Sequence, residues 1–406
     1  MKVAIVCDWL VSVGGAERVL RSICDLFPKA PIYTSQYNKK GIDWFNDREV
    51  HTGWLQIVPS SLRRFIGLLR QCYFNHLDLS SYDLIISVTG AEAKSVKKGN
   101  AIHICYCHVP TQYYWGLKDD YIKNPGFGIL NPVVRLALKA FLPPLKKADY
   151  AAAQRPDEFI TISSYAQQQI KSAYKRESTI IHPPVAVEKF STKDFSTSRE
   201  TIKRSKSQAK ETEHKQHENA KSQMTIQLPS VKSATRHGFV ATSRQVTWKR
   251  LDLAIKACME LKVSLTIIGE GPEHNNLVRL ANGSEYIKFV PLADIKTIKR
   301  YLEQAEGFIF PSLEPFGIAP VEALACGCPV IAYGNGGALD YIKDGKNGVL
   351  FDRQTVSSLS RAIEHFQTLK FDEVKIRESA LPFSEKNFQD QLMAFVTKKT
   401  SNVKDV

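Results

Sequence analysis

The stretch Gly307-Phe308-Ile309-Phe310-Pro311-Ser312-Leu313-Glu314-Pro315-Phe316-Gly317-Ile318-Ala319-Pro320-Val321-Glu322-Ala323-Leu324-Ala325-Cys326-Gly327 decides the fold. Its opening apolar run has the character of a buried parallel strand, and Pro311 and Ser312 end that strand. Gly317 then opens a helix. Pro320 sits in its first turn, where a missing N–H costs nothing. Gly327 closes the helix, a position that favours glycine. Glu314 therefore lies on the loop at the carboxyl end of a strand, and Glu322 lies about one turn into the helix.

The N–H groups freed around Gly317 suit a phosphate. Two carboxylates remain to accept hydrogen bonds from hydroxyls at either end of a phosphate-bearing ligand. A nucleotide sugar has that layout: ribose, diphosphate, hexose. The same residues also fit a plain strand–turn–helix joint with two solvated glutamates, so the rest of the chain must decide.

Working outward, strand-like runs alternate with helical periods on both sides. Gly238 to Ala241, Leu265 to Gly269, Tyr286 to Val290, Pro329 to Tyr333 and Asn347 to Phe351 read as strands of one half. Residues 1–8, Ile32 to Thr34, Asp83 to Thr89, Ala101 to Cys107, Phe159 to Ser163 and Thr179 to Ile181 read as strands of the other. Helices are expected at about Ala16 to Phe27, Ser60 to His76, Asn131 to Lys147, Ser164 to Tyr174, Leu251 to Leu261 and Glu385 to Thr397. This alternation predicts an α/β protein with two doubly wound, Rossmann-like domains. At 406 residues, two domains are the default. Expected boundaries are 1–187, 188–235 as a polar flexible insertion or linker, 236–383, and 384–406 as a terminal helix and tail that crosses back to the first domain. The segment 191–235 is rich in Lys, Ser, Gln, Glu and Thr and has no aromatic after Phe195. Such a composition buries too little apolar surface to order itself.

Candidate site residues fall at strand exits. Gly14 and Gly15 follow the first strand and precede a helix, an arrangement suited to a phosphate or to a tight turn with no ligand. The loop lacks the G-x-G-x-x-G fingerprint, which disfavours a nicotinamide cofactor. His108 ends a parallel strand, where open α/β sheets bind ligands, or it bonds a loop carbonyl. Tyr113, Tyr114 and Trp115 come next and either wall an acceptor site or pack. Arg244 and Lys249 stand at a strand exit and the mouth of a helix. They could clamp a diphosphate, arginine with its planar fork and lysine as a point charge, or be two surface cations.

The net charge is +14, and residues 1–190 carry 24 Lys and Arg against 16 Asp and Glu. A basic first half suits an anionic surface or substrate. The Ser60–His76 segment is apolar on one face and carries Arg63, Arg64 and Arg70. It reads as a membrane-surface helix or as a core-facing helix with solvated arginines. The Asn131–Lys147 helix is also basic, with Leu136, Leu138, Phe141 and Leu145. A nucleic-acid binder has only the net charge in its favour, since none of the usual modules is present. The eight cysteines show no C-x-x-C pair and no zinc-like spacing and read as small buried hydrophobes. No apolar stretch approaches the roughly 20 residues that span a bilayer, so a cytoplasmic protein is expected.

Five blocks, in this order and at these distances, resemble the GT-B retaining glycosyltransferases of family 4. The likeness is greatest to the mannosyltransferases of bacterial O-antigen, capsule and exopolysaccharide assembly. They are Gly14-Gly15-Ala16-Glu17-Arg18, Tyr106-Cys107-His108-Val109-Pro110-Thr111, His182-Pro183-Pro184-Val185, Arg244 with Lys249-Arg250-Leu251-Asp252, and the Glu314–Glu322 stretch. The resemblance covers nearly the whole chain. It implies two domains facing a central cleft, a nucleotide-diphosphate sugar such as GDP-mannose held mainly by the second, and a saccharide or lipid-linked acceptor on the first. It further implies that Arg244 and Lys249 neutralise the diphosphate, Glu314 holds the hexose, and Phe316, Gly317 and Ile318 offer backbone N–H groups. Glu322 would bind the ribose, Gly14 and Gly15 would meet the phosphate, and His108 would sit near the anomeric centre. No metal is then required, no nucleic acid is bound, and peripheral contact with an anionic membrane is expected. Other enzymes of the fold, a sugar-phosphate synthase or a nucleotide-sugar epimerase, remain as alternatives. The long polar connection after Phe190 and the Thr247-Trp248 pair depart from the pattern.

Overall fold

A computed structural model describes residues 1–59, 66–116, 131–191 and 236–401. Arg63, Arg64 and most of the polar 191–235 segment lie outside the described residues. The chain forms two compact units. The first comprises Met1–Pro184, Glu314–Phe316 and Glu385–Val406, and the second Val185–Leu313 and Gly317–Ser384.

The first unit is built on a parallel sheet of β1 (Val3–Cys7), β2 (Ile32–Thr34), β3 (Val50–Thr52), β4 (Leu84–Thr89), β5 (Ile102–Cys107), β6 (Glu158–Thr161) and β7 (Thr179–Ile180). Their order is β3-β2-β1-β4-β5-β6-β7. The central strands are apolar without alternation: β4, Leu-Ile-Ile-Ser-Val-Thr, is buried at every position. That is the mark of a parallel strand covered on both faces. Register is set by long ladders, Val3 facing Leu84 and Cys7 facing Val88. The order reverses direction between β1 and β4, and this switch point is where open α/β sheets leave a crevice.

The helix Gly15–Leu26 buries Val19, Leu20, Ile23 and Cys24. The final helix, Glu385–Thr400, packs on this same unit. Its Phe388 meets Tyr106 edge to face at 5.8 Å, and Gln389 Nε2 donates to Ser22 Oγ at 3.2 Å. Lys399 is ion-paired with Glu158.

The second unit repeats the plan with β8 (Phe239–Thr242), β9 (Leu265–Ile268), β10 (Ile287–Val290), β11 (Gly307–Phe310), β12 (Val330–Tyr333) and β13 (Gly348–Phe351). The order is β10-β9-β8-β11-β12-β13, all parallel. Its switch point lies between β8 and β11. The core gathers Phe239, Ile255, Ile267, Ile309, Ile331 and Phe366.

Several sequence expectations need correction. Val50–Thr52 is an extra edge strand. The helix at 131 runs on to Ala152, with Pro143 and Pro144 inside it. Arg70 is neither solvated nor presented to a surface: it is 1% exposed and ion-paired with Glu92 at 2.8 Å. Seven cysteines are buried, but Cys72 is exposed.

His103, the second residue of β5, is fully buried, and its Nε2 pairs with Ser87 at 2.8 Å. Burial lowers its pKa to about 3, against the pull of Asp157. The unfolded chain takes up a proton below about pH 6.5 that the folded chain refuses. Stability from this group is therefore full above that pH and lost as pH falls toward 3. Thermal unfolding should show stability falling from pH 7 to pH 5, by up to about 1.4 kcal/mol per pH unit from this residue. His103→Asn should flatten that slope, whatever its effect on stability at pH 7.

Candidate functional site

Within the first unit, the switch point is fixed by Asp8, the residue after β1. Its carboxylate accepts hydrogen bonds from Thr89 Oγ1 at 2.8 Å, Gly90 N at 3.0 Å and Ala93 N at 2.8 Å. Three donors on one buried carboxylate tie the exit of β1 to the exit of β4. A cavity of about 330 Å³ opens beside it, lined among others by Asp8, Trp9, Glu17, His108, Gln112 and Tyr113. Gly14 caps the helix Gly15–Leu26 in an extended conformation, with the Glu17 carboxylate close beside it. His108 leaves β5 with its N–H bonded to the Thr89 carbonyl at 2.9 Å. Its ring stands edge to face with Tyr106 at 5.6 Å. Its Nε2 is buried and has no hydrogen-bond partner among the described residues. Burial lowers the His108 pKa to about 4, opposed by Asp8, so the ring is neutral at pH 7. A neutral ring with an unsatisfied buried nitrogen is a place for a ligand hydroxyl.

The aromatic run after His108 splits by role. Tyr114 is buried. The Tyr113 hydroxyl donates to Glu92, and Trp115 Nε1 donates to Asp149 at 2.7 Å. Glu92 and Lys94 were not singled out by sequence reading, because their partners lie 22 and 55 residues away.

In the second unit, β8 and β11 are hydrogen-bonded neighbours, with Phe239 facing Gly307 and Val240 facing Phe308. Their exits therefore lie side by side. Arg244 and Lys249 follow β8, while Gly317, Ile318 and Glu322 follow β11. Arg244 is exposed and makes no ion pair or side-chain hydrogen bond among the described residues. Its position is nonetheless fixed through Gln245, which is fully buried. Gln245 Nε2 donates to the Gly269 carbonyl at 2.5 Å, and its Oε1 meets His274 Nδ1 at 2.8 Å. Its backbone N–H bonds Glu270 O at 2.8 Å, and its carbonyl takes the Glu273 N–H at 3.0 Å. Its side-chain partners Gly269 and His274 lie 24 and 29 residues away, so no local sequence signal marks it. Lys249 Nζ lies 4.2 Å from the Trp248 ring centroid.

Gly317 has φ +90°, and a Cβ there would lie 2.7 Å from Phe310 Cζ and 2.9 Å from Tyr341 Oη. Only glycine suits that corner, which turns the chain from strand exit to helix start. Ile318 begins the helix Ile318–Ala325, and Glu322, mostly buried, is its fifth residue. On the loop before Gly317, Phe316 is buried and Glu314 half-buried. Among the described residues there is no cluster of three or more potential metal ligands.

Asp8→Ala should destabilise the first unit by on the order of 3 kcal/mol, since two buried donors and one half-buried donor lose their acceptor. Denaturant titration measures this, and a change below about 0.5 kcal/mol would contradict the role given to Asp8.

Residues 228–380 match the sequence model of the family described as "Glycosyl transferases group 1". A GDP-mannose-dependent alpha-(1-6)-phosphatidylinositol monomannoside mannosyltransferase of Mycolicibacterium smegmatis is 31% identical over 140 residues, covering 30% of this chain and 37% of the relative. A D-inositol 3-phosphate glycosyltransferase of Paenarthrobacter aurescens is 30% identical over 146 residues, covering 33% of each. The chain thus spans little more than a third of the length of these relatives. Among solved structures, HepE of Anabaena in complex with UDP has a TM-score of 0.63 at 18% identity, covering 98% of this chain and 100% of that one. The sucrose-phosphate synthase of Thermosynechococcus elongatus has a TM-score of 0.64 at 16% identity, covering 99% and 100%. The fold is therefore GT-B, and residues 228–380 carry the sequence pattern of glycosyl transferases group 1.

Proposed function

We propose that the chain is a retaining glycosyltransferase that moves a hexose, in the leading form mannose from GDP-mannose, to a saccharide or lipid-linked saccharide in surface-polysaccharide assembly. The observation that carries this reading is the pair of neighbouring strand exits in the second unit. One presents Arg244, exposed and unpaired among the described residues. The other presents a helix start at Gly317 followed by Glu322. A diphosphate is matched by the cation and the helix N–H groups, and a diol by the carboxylate.

In this reading Arg244 and Lys249 neutralise the diphosphate and stabilise the charge that grows on the leaving group. They do the work that a metal ion does in other transferases. Backbone N–H groups of Phe316, Gly317 and Ile318 contact phosphate and sugar. Glu322 holds the ribose and Glu314 the hexose hydroxyls. The mannosyltransferase relative favours GDP-mannose. The UDP complex of HepE leaves a uridine donor as the competing outcome.

A transfer assay with GDP-, UDP- and ADP-sugars checks the reading, and product analysis with a free sugar phosphate as acceptor separates it from a sugar-phosphate synthase. Lys249→Ala and Glu314→Ala should each lower transfer by about 100-fold or more. If no donor binds and neither substitution changes anything, the reading fails.

A lipid-linked acceptor would bring the protein to an anionic membrane. Among the described residues no helix is long and apolar enough to cross one. The helix Asn131–Ala152 supports surface contact instead, since Leu136 is 73% and Phe141 57% exposed beside Arg135 and Lys147. Vesicles rich in phosphatidylglycerol should sediment the protein at low salt, and the double variant L136D/F141D should stay in solution. Equal sedimentation of both would exclude this helix as the contact.

A further inference from the structure

The turn Thr89–Ser95 carries two buried charges of opposite sign, and neither has a part in the chemistry above. Glu92 pairs with Arg70 at 2.8 Å, and both are at most 1% exposed. Lys94 pairs with Asp149 at 2.6 Å, equally buried. Burial pushes the Glu92 carboxyl up, opposed by Arg70 and the Tyr113 hydroxyl. Burial opposes the Lys94 charge, but Asp149 outweighs it and raises the pKa. Buried pairs of this kind are weak contributors to stability and are frequently replaceable by apolar residues. Their connections suggest another use.

The first pair reaches the cavity wall directly, and the second holds the loop that carries part of it. Arg70 lies 4.7 Å from the Trp9 ring centroid and donates to Tyr113 Oη at 3.3 Å. Trp9 and Tyr113 both line the cavity. On the other side, Asp149 accepts from Thr111 Oγ1 at 2.8 Å, Trp115 Nε1 at 2.7 Å and Tyr174 Oη at 2.8 Å. The loop Thr111–Trp115 is thus held at its middle by one pair and at both ends by the other. The turn that carries both pairs is itself held by Asp8. In the same cavity, His108 presents its unsatisfied buried nitrogen. Two fixed aromatic rings and one buried hydrogen-bonding nitrogen match a sugar ring, which offers C–H faces and hydroxyls.

We propose that the Arg70–Glu92 pair is a positioning device that holds Trp9 and Tyr113 as the walls of a saccharide-binding cavity in the first unit. This rests on the transferase reading for the saccharide's role as acceptor, but its binding can be tested without turnover. The probe is methyl α-mannoside, titrated against the full chain by saturation-transfer NMR, with GDP binding followed by calorimetry.

In the double variant R70M/E92L the charges go but the volume stays, so the chain should fold with an unchanged circular dichroism spectrum. Its affinity for the mannoside should fall at least 10-fold while its GDP affinity stays within 2-fold. Tyr113→Phe, which keeps the ring and removes only the tether, should weaken the mannoside several-fold. Arg70→Lys, which keeps a cation against Glu92, should retain most of the binding. Mannoside affinity within 2-fold of wild type in both R70M/E92L and Tyr113→Phe would overturn the proposal. So would absence of mannoside binding to the wild type. Absence of GDP binding, with mannoside binding intact and lost in R70M/E92L, would count against the guanosine donor and leave the positioning role supported.

Discussion

The three hydrogen bonds that Asp8 accepts from Thr89, Gly90 and Ala93 hold the first unit's site together. A parallel sheet ends in carbonyls and N–H groups with no partner along the strand, and the loops that leave it are free to diverge at the switch point. One buried carboxylate removes that freedom. It satisfies two backbone N–H groups that would otherwise be stranded, and it sets the direction in which the chain leaves β4. Everything hung on that turn inherits its position, including Glu92 and Lys94 two residues apart with their ion pairs. The serine at position 35 completes the joint by donating to the Asp8 carbonyl.

The second unit solves the same problem without charge. Its β8 exit is held by Gln245, a neutral side chain that uses both its donor and its acceptor, with four hydrogen bonds counting the backbone. Gly269, at φ +126°, lets the next strand exit come close enough for this, because a side chain there would collide with the Ser243 carbonyl. The choice of a neutral clamp matters for what stands beside it. A carboxylate in place of Gln245 would lose the donor to the Gly269 carbonyl and would partly cancel the neighbouring Arg244.

Much of this was legible in the sequence wherever the signal was local. Apolar runs placed the strands of both sheets, and the helices Ser164–Tyr174 and Leu251–Leu261 lie where their periodicity put them. Gly317 was readable as a helix opener, and its φ of +90° shows why the position tolerates nothing larger. Val50-His51-Thr52 was not legible, because a three-residue edge strand with partly exposed residues has no apolar period to detect. Arg70 was misread for a different reason. An arginine on an apolar helix normally reaches solvent, and only a partner on a distant element makes its burial tolerable. The same holds for Lys94 and Gln245. Their roles exist only once β4, β5 and β9 are assembled, so no window of sequence contains both halves of the contact.

A cation held in place by uncharged neighbours keeps its full field. Arg244 loses none of its charge to an ion pair among the described residues, and the residue that follows it is pinned to the Gly269 carbonyl by a neutral hydrogen bond. Such a group acts beyond contact distance, over about 8 Å at physiological ionic strength. It therefore governs the speed of capture as well as the strength of holding. In the proposed transferase, the rate at which this edge of the sheet collects a nucleotide diphosphate would be a function of salt, set in part by a glutamine beside the cation.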